Sequence, residues 1–288
     1  MNLCNKFGYF AKKIKVLNKA QLIEQIKQKA SFLCVGLDTE LAKIPKHLLS
    51  ESDPVFVFNK AIVEATAPYC VSYKINLAFY EQYGRSGWES MEKTLQIIPS
   101  NCFVIADAKR GDIGNTSTMY AKAFFETYNY DAITVSPYMG KDSVSPFLEY
   151  KDKFTIVLGL TSNSGSEDFQ MLSTASGKVY ENVLTKTAAW GTPDNLMFVI
   201  GATKAEKFAE IRKLLPEHFL LVPGVGAQGG DLEGVSNFGM NKDCGLLVNS
   251  SRGIIYASSG LDFAEAAYHE AKNIQSQMKG FLENHHII

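Results

Sequence analysis

A cluster of charged residues follows a short apolar run in the middle of the chain. Residues 103–106 are predicted to form a buried strand, after which come Asp107, Lys109 and Asp112. Side chains two positions apart on a strand share a face, so Asp107 and Lys109 point into one space, while Asp112 lies on the loop beyond. Arg110 alternates to the other face and is interpreted as a salt-bridging structural residue. Because buried charges are strongly disfavoured unless paired, we predict that this cluster performs chemistry.

Lys74 extends the cluster from a second apolar run, residues 71–75. Considered alone, its aliphatic stem could pack on a sheet while its ammonium reaches solvent. With Asp107, Lys109 and Asp112 it completes an alternating series of positive and negative charges, in which each charge stabilises the ionised form of its neighbours. Groups coupled in this way titrate as a unit.

Eight apolar runs alternate with helical segments along the chain. The runs are 32–37, 71–75, 103–106, 132–135, 154–160, 196–201, 219–222 and 246–249, and the predicted helices are 54–67, 87–98, 116–128, 142–150, 178–190, 204–215 and 261–282. The seventh crossover, 229–243, is too rich in glycine to be predicted as a helix. Continuously apolar strands that alternate with helices indicate an α/β protein with a parallel sheet. Eight such units predict a single-domain (β/α)8 TIM barrel, with an open doubly wound sheet as the alternative.

Polar residues follow most of the predicted strands. The active sites of barrels lie at the carboxyl ends of the strands. The polar residues at these ends are Asp38, Lys74, Asn76, Asp107, Lys109, Ser136, Thr161, Ser162, Asn163, Thr203, Gln228 and Arg252. Together they predict an active site around one mouth of the barrel.

The segment 222–231 contains the pattern G-x-G-x-x-G at Gly224, Gly226 and Gly229. We do not predict a dinucleotide site, because the Rossmann pattern belongs to the first strand-to-helix turn and requires a clean helix after it. Barrels often bind phosphate at the loops after strands 7 and 8, through backbone N–H groups that glycine leaves accessible. Arg252, after strand 8, can donate to two phosphate oxygens. These features predict a phosphate site.

Composition narrows the class of protein. The net charge of −1 gives no general attraction for nucleic acid or anionic membranes. The apolar runs are far shorter than the ~18 residues of a membrane span, so we expect a soluble protein. The five cysteines form no Cys-x-x-Cys pair, which indicates buried free thiols in a reducing cytoplasm. The five histidines show no metal-ligand pattern.

The amino-terminal segment is basic. Residues 1–23 contain five lysines and no acidic residue. They have neither the apolar core of a secretory signal nor the Arg- and Ser-rich composition of a transit peptide. We therefore expect residues 1–16 to be a frayed extension ahead of one barrel domain, residues 17–288, and we expect a cytoplasmic location.

With these residues assembled, residues 19–280 resemble the orotidine 5′-phosphate decarboxylase family, in its longer-chain bacterial (type 2) branch. The resemblance rests on the segments FLCVGLDT (32–39), YKIN (73–76), DAKRGDIGNT (107–116), TSN (161–163), VPGVGAQ (222–228) and NSSRG (249–253). It implies a lyase that decarboxylates orotidine 5′-monophosphate to UMP, the last step of de novo pyrimidine synthesis. It implies no metal and no organic cofactor.

The same resemblance implies roles for individual residues. The catalytic residues would be Lys74, Asp107, Lys109 and Asp112, with Lys109 stabilising and protonating a C6 carbanion. The enzyme would be a homodimer in which Asp112 and Thr116 reach the neighbouring site. The substrate-binding residues would be Asp38 with Lys74 at the ribose, Thr116, Ser162 at the pyrimidine, and Gln228 with Arg252 at the phosphate, with Asn76, Asn163 and Gly253 as further candidates.

Two alternatives remain at this point. A Mg²⁺-dependent phosphosugar decarboxylase or aldolase of the same superfamily resembles the chain at Asp107, Lys109 and Asp112. Such enzymes carry a Glu where this chain has Lys74, whose charge would repel a divalent cation. The other alternative is a catalytically silent nucleotide-phosphate binder, which would not need a strained cluster of four charges.

Overall fold

A closed barrel of eight parallel strands forms the centre of the protein in a computed structural model, which describes residues 17–202, 205–224 and 231–288. The strands are β1 (Leu33–Gly36), β2 (Ser72–Asn76), β3 (Phe103–Arg110), β4 (Ala132–Val135), β5 (Phe154–Leu160), β6 (Leu196–Ile200), β7 (Phe219–Pro223) and β8 (Leu246–Ser250). Each strand pairs with its neighbours in chain order, and β1 pairs with β8. The predicted TIM barrel is confirmed, and the open sheet is wrong.

Helices pack around this barrel. The longer ones are α1 (Lys19–Lys29), α2 (Pro54–Thr66), α3 (Gly84–Ile97), α4 (Gly114–Lys122), α5 (Lys141–Leu148), α6 (Val179–Ala188), α7 (Lys207–Leu214), α8 (Leu232–Gly239) and α9 (Phe263–Asn284). Short helical segments are Lys46–Ser50, Ala78–Glu81, Ala123–Thr127, Ser166–Phe169 and Arg252–Ile255, and a small hairpin joins Ser173–Thr174 to Gly177–Lys178. Within the described part of the chain, no helix is both long enough and apolar enough to cross a membrane.

The seventh crossover contains a helix that was not predicted from the sequence. Residues 229–243 were expected to lack a clean helix, but α8 occupies Leu232–Gly239. A Cβ on Gly234 would lie 2.4 Å from the Asp231 carboxylate and 2.7 Å from Ala205. Glycine at this position therefore allows close packing and does not interrupt the helix.

Strand β3 is longer than predicted and is irregular at its carboxyl end. It continues through Asp107 to Arg110, and its register with β4 shifts between Ala106 and Arg110. Lys109, within this shift, has φ of +48°. A lysine in the left-handed region is strained, and such strain is found at functional sites.

Helix α1 covers the amino-terminal end of the barrel and had no counterpart among the predicted helices. Asn18 begins it with a capping box, because its side chain accepts from Gln21 N at 3.0 Å and its own N–H donates to Gln21 Oε1 at 3.1 Å. Leu17 N donates to Asp131 Oδ1 at 3.0 Å, which ties this end to β4. The predicted extension, residues 1–16, lies outside the described residues.

Candidate active site

A cavity of about 320 Å³ opens at the carboxyl ends of the barrel strands. Its polar lining is Asp38, Lys74, Asn76, Asp107, Lys109, Thr161, Ser162, Asn163, Asn249, Ser251 and Arg252. Leu158, Val199 and Leu221 supply an apolar wall. The mouth predicted from the sequence is therefore a real cavity, lined by both polar and apolar side chains.

The centre of the cavity is a chain of alternating charges. Lys74 Nζ lies 2.9 Å from Asp107 Oδ2 and 3.4 Å from Asp38 Oδ1, and Lys109 Nζ lies 2.6 Å from Asp107 Oδ1. Lys74 and Asp107 are buried, whereas half of the Lys109 side chain is exposed to the cavity. The predicted meeting of Asp107 and Lys109 on one face is confirmed. Lys109 is the cation of this cluster that is most accessible to a ligand.

The two buried groups hold each other in their ionised forms. Burial alone would raise the pKa of Asp107, but the charges of Lys74 and Lys109 lower it well below its ordinary value. Burial would likewise lower the pKa of Lys74, but Asp107 and then Asp38 raise it well above its ordinary value. The cavity is therefore lined by fixed charges that persist through the physiological pH range.

Thr134 supports this cluster from the neighbouring strand. Its Oγ1 donates to Asp107 Oδ1 at 2.9 Å and accepts from Lys109 N at 2.9 Å. One hydroxyl thus fixes the carboxylate and the strained backbone of Lys109. Sequence reasoning missed Thr134, although its position near the end of β4 placed it at the mouth.

The loop that carries Asp38 is held by hydrogen bonds to its backbone. Tyr80 Oη donates to Leu37 O at 2.9 Å, and Tyr256 Oη donates to Asp38 O at 3.0 Å while accepting from Glu40 N at 2.8 Å. These bonds leave the Asp38 carboxylate directed at Lys74. The position of Asp38 is therefore fixed from both sides.

Two further mouth residues were quoted in a motif but not chosen as site residues. Asn249 and Ser251 both line the cavity, and Asn249 Oδ1 is buried without a hydrogen-bond partner among the described residues. A Cβ on Gly36 would lie 2.8 Å from Ser251 Cβ and 3.1 Å from Asn249 Oδ1. Glycine in β1 therefore leaves space for these two side chains, whose polar atoms can contact a ligand.

Asp112 and Thr116 are not part of this lining. Asp112 follows β3, where its N–H donates to Ser117 Oγ at 3.2 Å and its own Oδ1 accepts from Ile113 N at 2.7 Å. Thr116 is exposed on the first turn of α4. A single chain therefore brings together three of the four predicted catalytic residues.

Arg110 has the structural role that its alternation predicted. Its guanidinium forms an ion pair with Glu81 and lies over the rings of Tyr120 and Phe124, with 5.6 and 5.8 Å between Cζ and the ring centroids. This side chain points away from the cavity. The contacts fasten the end of β3 to the helices outside the barrel.

The predicted phosphate site is only partly described. Arg252 lines the cavity and begins the short helix Arg252–Ile255, whereas Gly253 is exposed outside the lining. Gly224 lines the cavity with φ of +94°. Gln228 lies outside the described residues.

Cys34, Cys70, Cys102 and Cys244 are free and buried, as predicted, and Cys4 lies outside the described residues. Over residues 17–202, 205–224 and 231–288, no three His, Cys, Asp or Glu side chains are grouped to hold a metal ion.

Comparisons with known proteins place this chain in a family. Residues 31–267 match the model of the orotidine 5′-phosphate decarboxylase / HUMPS family. The chain belongs to that family. Orotidine 5′-phosphate decarboxylases from Phocaeicola vulgatus and Christiangramia forsetii are 58% and 59% identical to it over 270 residues, which cover 92% and 93% of this chain and 99% of each relative. The solved structure of Leishmania donovani OMP decarboxylase matches 90% of this chain and 100% of its own, at 35% identity and a TM-score of 0.76.

Proposed function

We propose that this protein is a lyase that decarboxylates orotidine 5′-monophosphate to UMP, the last step of de novo pyrimidine synthesis. The observation that carries the proposal is the series of ion pairs Lys74–Asp107–Lys109 at the barrel mouth. Relatives nearly 60% identical, which bear the name of this decarboxylase, support the same reaction. The Mg²⁺-dependent members of the superfamily would need a carboxylate where this chain has Lys74. That ammonium sits between Asp38 and Asp107, where it neutralises both candidate ligands.

Lys109 is the proposed proton donor. Loss of CO₂ from C6 leaves a carbanion that no carbonyl is placed to delocalise, so the protein must stabilise its charge directly. The Lys109 ammonium is fixed by Asp107 at 2.6 Å but remains half-exposed to the cavity, which Leu158, Val199 and Leu221 also line. It can therefore approach C6, stabilise the developing charge and deliver a proton without moving far.

Asp107 is proposed to act on the substrate carboxylate. The low pKa of Asp107 keeps it anionic, so a carboxylate bound beside Lys109 meets a fixed negative charge. That repulsion weakens when the carboxylate leaves as CO₂, so it disfavours the bound substrate more than the transition state. The two lysines keep the cluster stable while it performs this task.

The remaining mouth residues are proposed to hold the rest of the nucleotide. Asp38 and Lys74 would bind the ribose hydroxyls, Ser162 the pyrimidine, and Arg252 with Gln228 the phosphate. Asn76 and Asn163 line the same cavity and serve as further polar contacts. Binding energy from the phosphate end can be used to hold the reacting end in place.

We propose that the active enzyme is a homodimer. Ile113 and Met119 are exposed apolar side chains in the same segment as Asp112 and Thr116, and Tyr138 and Met139 are exposed just ahead of α5, which packs against α4. Exposed apolar patches are typical of interfaces. A partner seated there would place its Asp112 and Thr116 at the neighbouring mouth.

Co-expression of Lys109→Ala subunits with Asp112→Ala subunits tests this shared site. Half of the dimers should contain one subunit of each kind and keep one intact site, so about a quarter of wild-type activity should be restored. Two inactive variants that stay inactive together would contradict the shared site.

The reaction is tested by following the ultraviolet absorbance of orotidine 5′-monophosphate with purified protein in buffer containing a chelator. We expect conversion to UMP that the chelator leaves unchanged. Lys109→Ala should lose at least about 10⁴-fold in kcat, because it removes both the proton donor and the charge at C6. Its affinity for UMP and its melting temperature should stay close to those of the native protein. Near-normal turnover by this variant would refute the role of Lys109.

Other outcomes of the same assay identify the alternatives. Turnover of phosphosugars that requires Mg²⁺ would indicate the metal-dependent branch. Binding of UMP by a folded protein without any turnover would indicate a silent binder. The proposed cellular location is the cytoplasm.

A further inference from the structure

A second cluster of ionisable groups lies at the opposite end of the barrel, where β2 and β3 begin. Cys70 precedes β2, Cys102 precedes β3, and Lys29 ends α1. Lys29 Nζ donates to Ala67 O at 2.9 Å, to Cys70 O at 2.8 Å and to Cys102 Sγ at 3.4 Å. All three ammonium donors are therefore engaged, and one of them is directed at a sulfur atom.

The two cysteines also contact each other. Cys102 Sγ lies 4.0 Å from Cys70 O. Ser72 pairs with Phe103 across the two strands, so Cys70 and Cys102 are one position out of register. With strands roughly 4.8 Å apart and a rise of roughly 3.3 Å per residue, their Cα atoms are about 5.8 Å apart. That separation is in the range that a disulfide spans without backbone movement.

The environment gives the two cysteines different chemical characters. The proximity of Cys70 and the hydrogen bond and charge of Lys29 outweigh burial and lower the pKa of Cys102 below its ordinary value. Burial raises the pKa of Cys70 well above its ordinary value. Cys102 therefore has more thiolate character than Cys70, which is the difference expected between an attacking and a resolving cysteine.

We propose that Cys70 and Cys102 are a redox-active dithiol that small hydroperoxides oxidise to an intramolecular disulfide. The Cys102 thiolate attacks one peroxide oxygen, the O–O bond breaks, and a sulfenic acid forms as hydroxide leaves and takes up a proton to become water. The Cys70 thiol then attacks the sulfenic sulfur, the S–S bond forms, and the S–O bond breaks as a second water leaves. The two sulfur atoms lose two electrons in total, and hydrogen peroxide is reduced to two molecules of water.

Two other buried cysteines provide internal controls. Burial raises the pKa of Cys34 and of Cys244 to about 12 each. The ammonium whose charge acts on Cys34 is that of Lys74, which forms ion pairs with two carboxylates. Cys102 is 2% exposed and follows the exposed residue Asn101, whereas Cys34 and Cys244 are fully buried. Selective oxidation of this pair is therefore a property of its surroundings.

The test uses the full-length chain in a Cys4→Ser background. The reduced protein is treated with hydrogen peroxide at pH 7, unfolded in acid, alkylated and examined by peptide mass spectrometry. We expect a disulfide that joins the peptides of Cys70 and Cys102, while Cys34 and Cys244 are recovered fully alkylated. Cys70→Ser should leave a sulfenic acid at Cys102 that a 1,3-diketone traps, and Cys102→Ser should show no oxidation of Cys70.

Lys29 variants test the cause of the reactivity. Lys29→Met should slow oxidation of Cys102 about tenfold, because the thiolate fraction falls, and Lys29→Arg should restore most of the rate. Thermal melting of each variant checks its fold, and the comparison of Cys102 with Cys244 within one native molecule needs no variant. Oxidation of Cys102 no faster than Cys244, or a covalent link from Cys102 to Lys29 in place of Cys70, would overturn the proposal. None of these readouts depends on decarboxylase activity.

Discussion

The two ends of the barrel both bury charge, but they neutralise it in different ways. At the mouth, Asp107 is paired with two ammonium groups that face the cavity. At the opposite end, Asp131 and Lys153 each come one residue before a strand, and backbone groups form hydrogen bonds with both side chains. Asp131 accepts from Leu17 N and Val104 N, and Lys153 donates to Tyr130 O.

The contrast is sharpest between the two buried aspartates. Lysines lower the pKa of Asp107 far below its ordinary value despite burial. Burial raises the pKa of Asp131 to about 6, because two backbone N–H groups and the more distant Lys153 only partly offset it. At the mouth, ion pairs between side chains leave charged groups that a ligand can contact. At the opposite end, hydrogen bonds between charged side chains and the backbone are part of the closed end of the barrel. Burial of charge alone therefore does not identify a site.

After Lys109→Ala, Asp107→Asn should have the largest effect on catalysis, because it removes the carboxylate that lies between Lys74 and Lys109. We expect kcat/KM to fall at least about 10³-fold, since both the placement of Lys109 and the repulsion of the substrate carboxylate are lost. The free energy of unfolding should fall by about 2 kcal/mol or less, because Lys74 keeps Asp38 as a partner. Steady-state kinetics and urea denaturation measure the two quantities. If stability fell but kcat/KM stayed within tenfold of the native value, Asp107 would have a structural role and not a catalytic one.

Arg212→Met should have the opposite effects, with a large loss of stability and almost no change in kcat. The Arg212 guanidinium donates to four carbonyl oxygens near the starts of β7 and β8, which belong to Gly239, Leu215, His218 and Gly245. Burial lowers the pKa of Arg212 to about 10, but the group stays charged at neutral pH. Leaving these oxygens unpaired should lower the free energy of unfolding by about 3 kcal/mol.

The Arg212 prediction is checked by guanidinium denaturation, with kcat expected to stay within about twofold of the native value, since the mouth keeps all its contacts. Arg212→Lys provides the matched control, because a lysine retains the charge and part of the hydrogen bonding. A variant that is stable but inactive would show that the two ends are coupled.

Asp131→Asn tests the difference in pKa through stability. A carboxyl group whose pKa is raised in the folded state stabilises the fold below its unfolded pKa, and this contribution is lost as the pH rises through about 6. The free energy of unfolding of the native protein, minus that of the variant, should therefore fall by about 2 kcal/mol between pH 4.5 and pH 6.5. Burial lowers the pKa of His218 to about 4, which gives the opposite slope, but this is common to both proteins and cancels in the difference.

Urea denaturation across that pH range makes the measurement. Asp107 remains ionised throughout it, and its own contribution would be lost only at lower pH, as the pH falls through its depressed pKa. If the free energy of unfolding of the native protein, minus that of Asp131→Asn, rose with pH, the backbone N–H groups would be holding Asp131 as a stable anion.

The same contrast explains what the sequence could predict. Continuous apolar runs located all eight strands, and alternation along β3 correctly brought Asp107 and Lys109 together. Arg212 could not be found in this way, because its partners are carbonyl oxygens, which any residue supplies. The glycines of α8 were misread because their effect depends on what packs against them. The left-handed backbone of Lys109 follows from a register shift with β4, which no pattern within β3 encodes.

Thr134→Val should give the smallest effect, and it asks how precisely the mouth must be held. Valine keeps the shape of threonine but removes the hydroxyl that contacts Asp107 Oδ1 and Lys109 N. We expect kcat to fall about tenfold, the equivalent of one hydrogen bond, with KM nearly unchanged. Thr155→Val, on the neighbouring strand β5, is the matched control, because Thr155 Oγ1 is buried without a hydrogen-bond partner among the described residues. Equal effects of the two substitutions on kcat would mean that the lysines alone position Asp107, and that the hydroxyl of Thr134 only fills space.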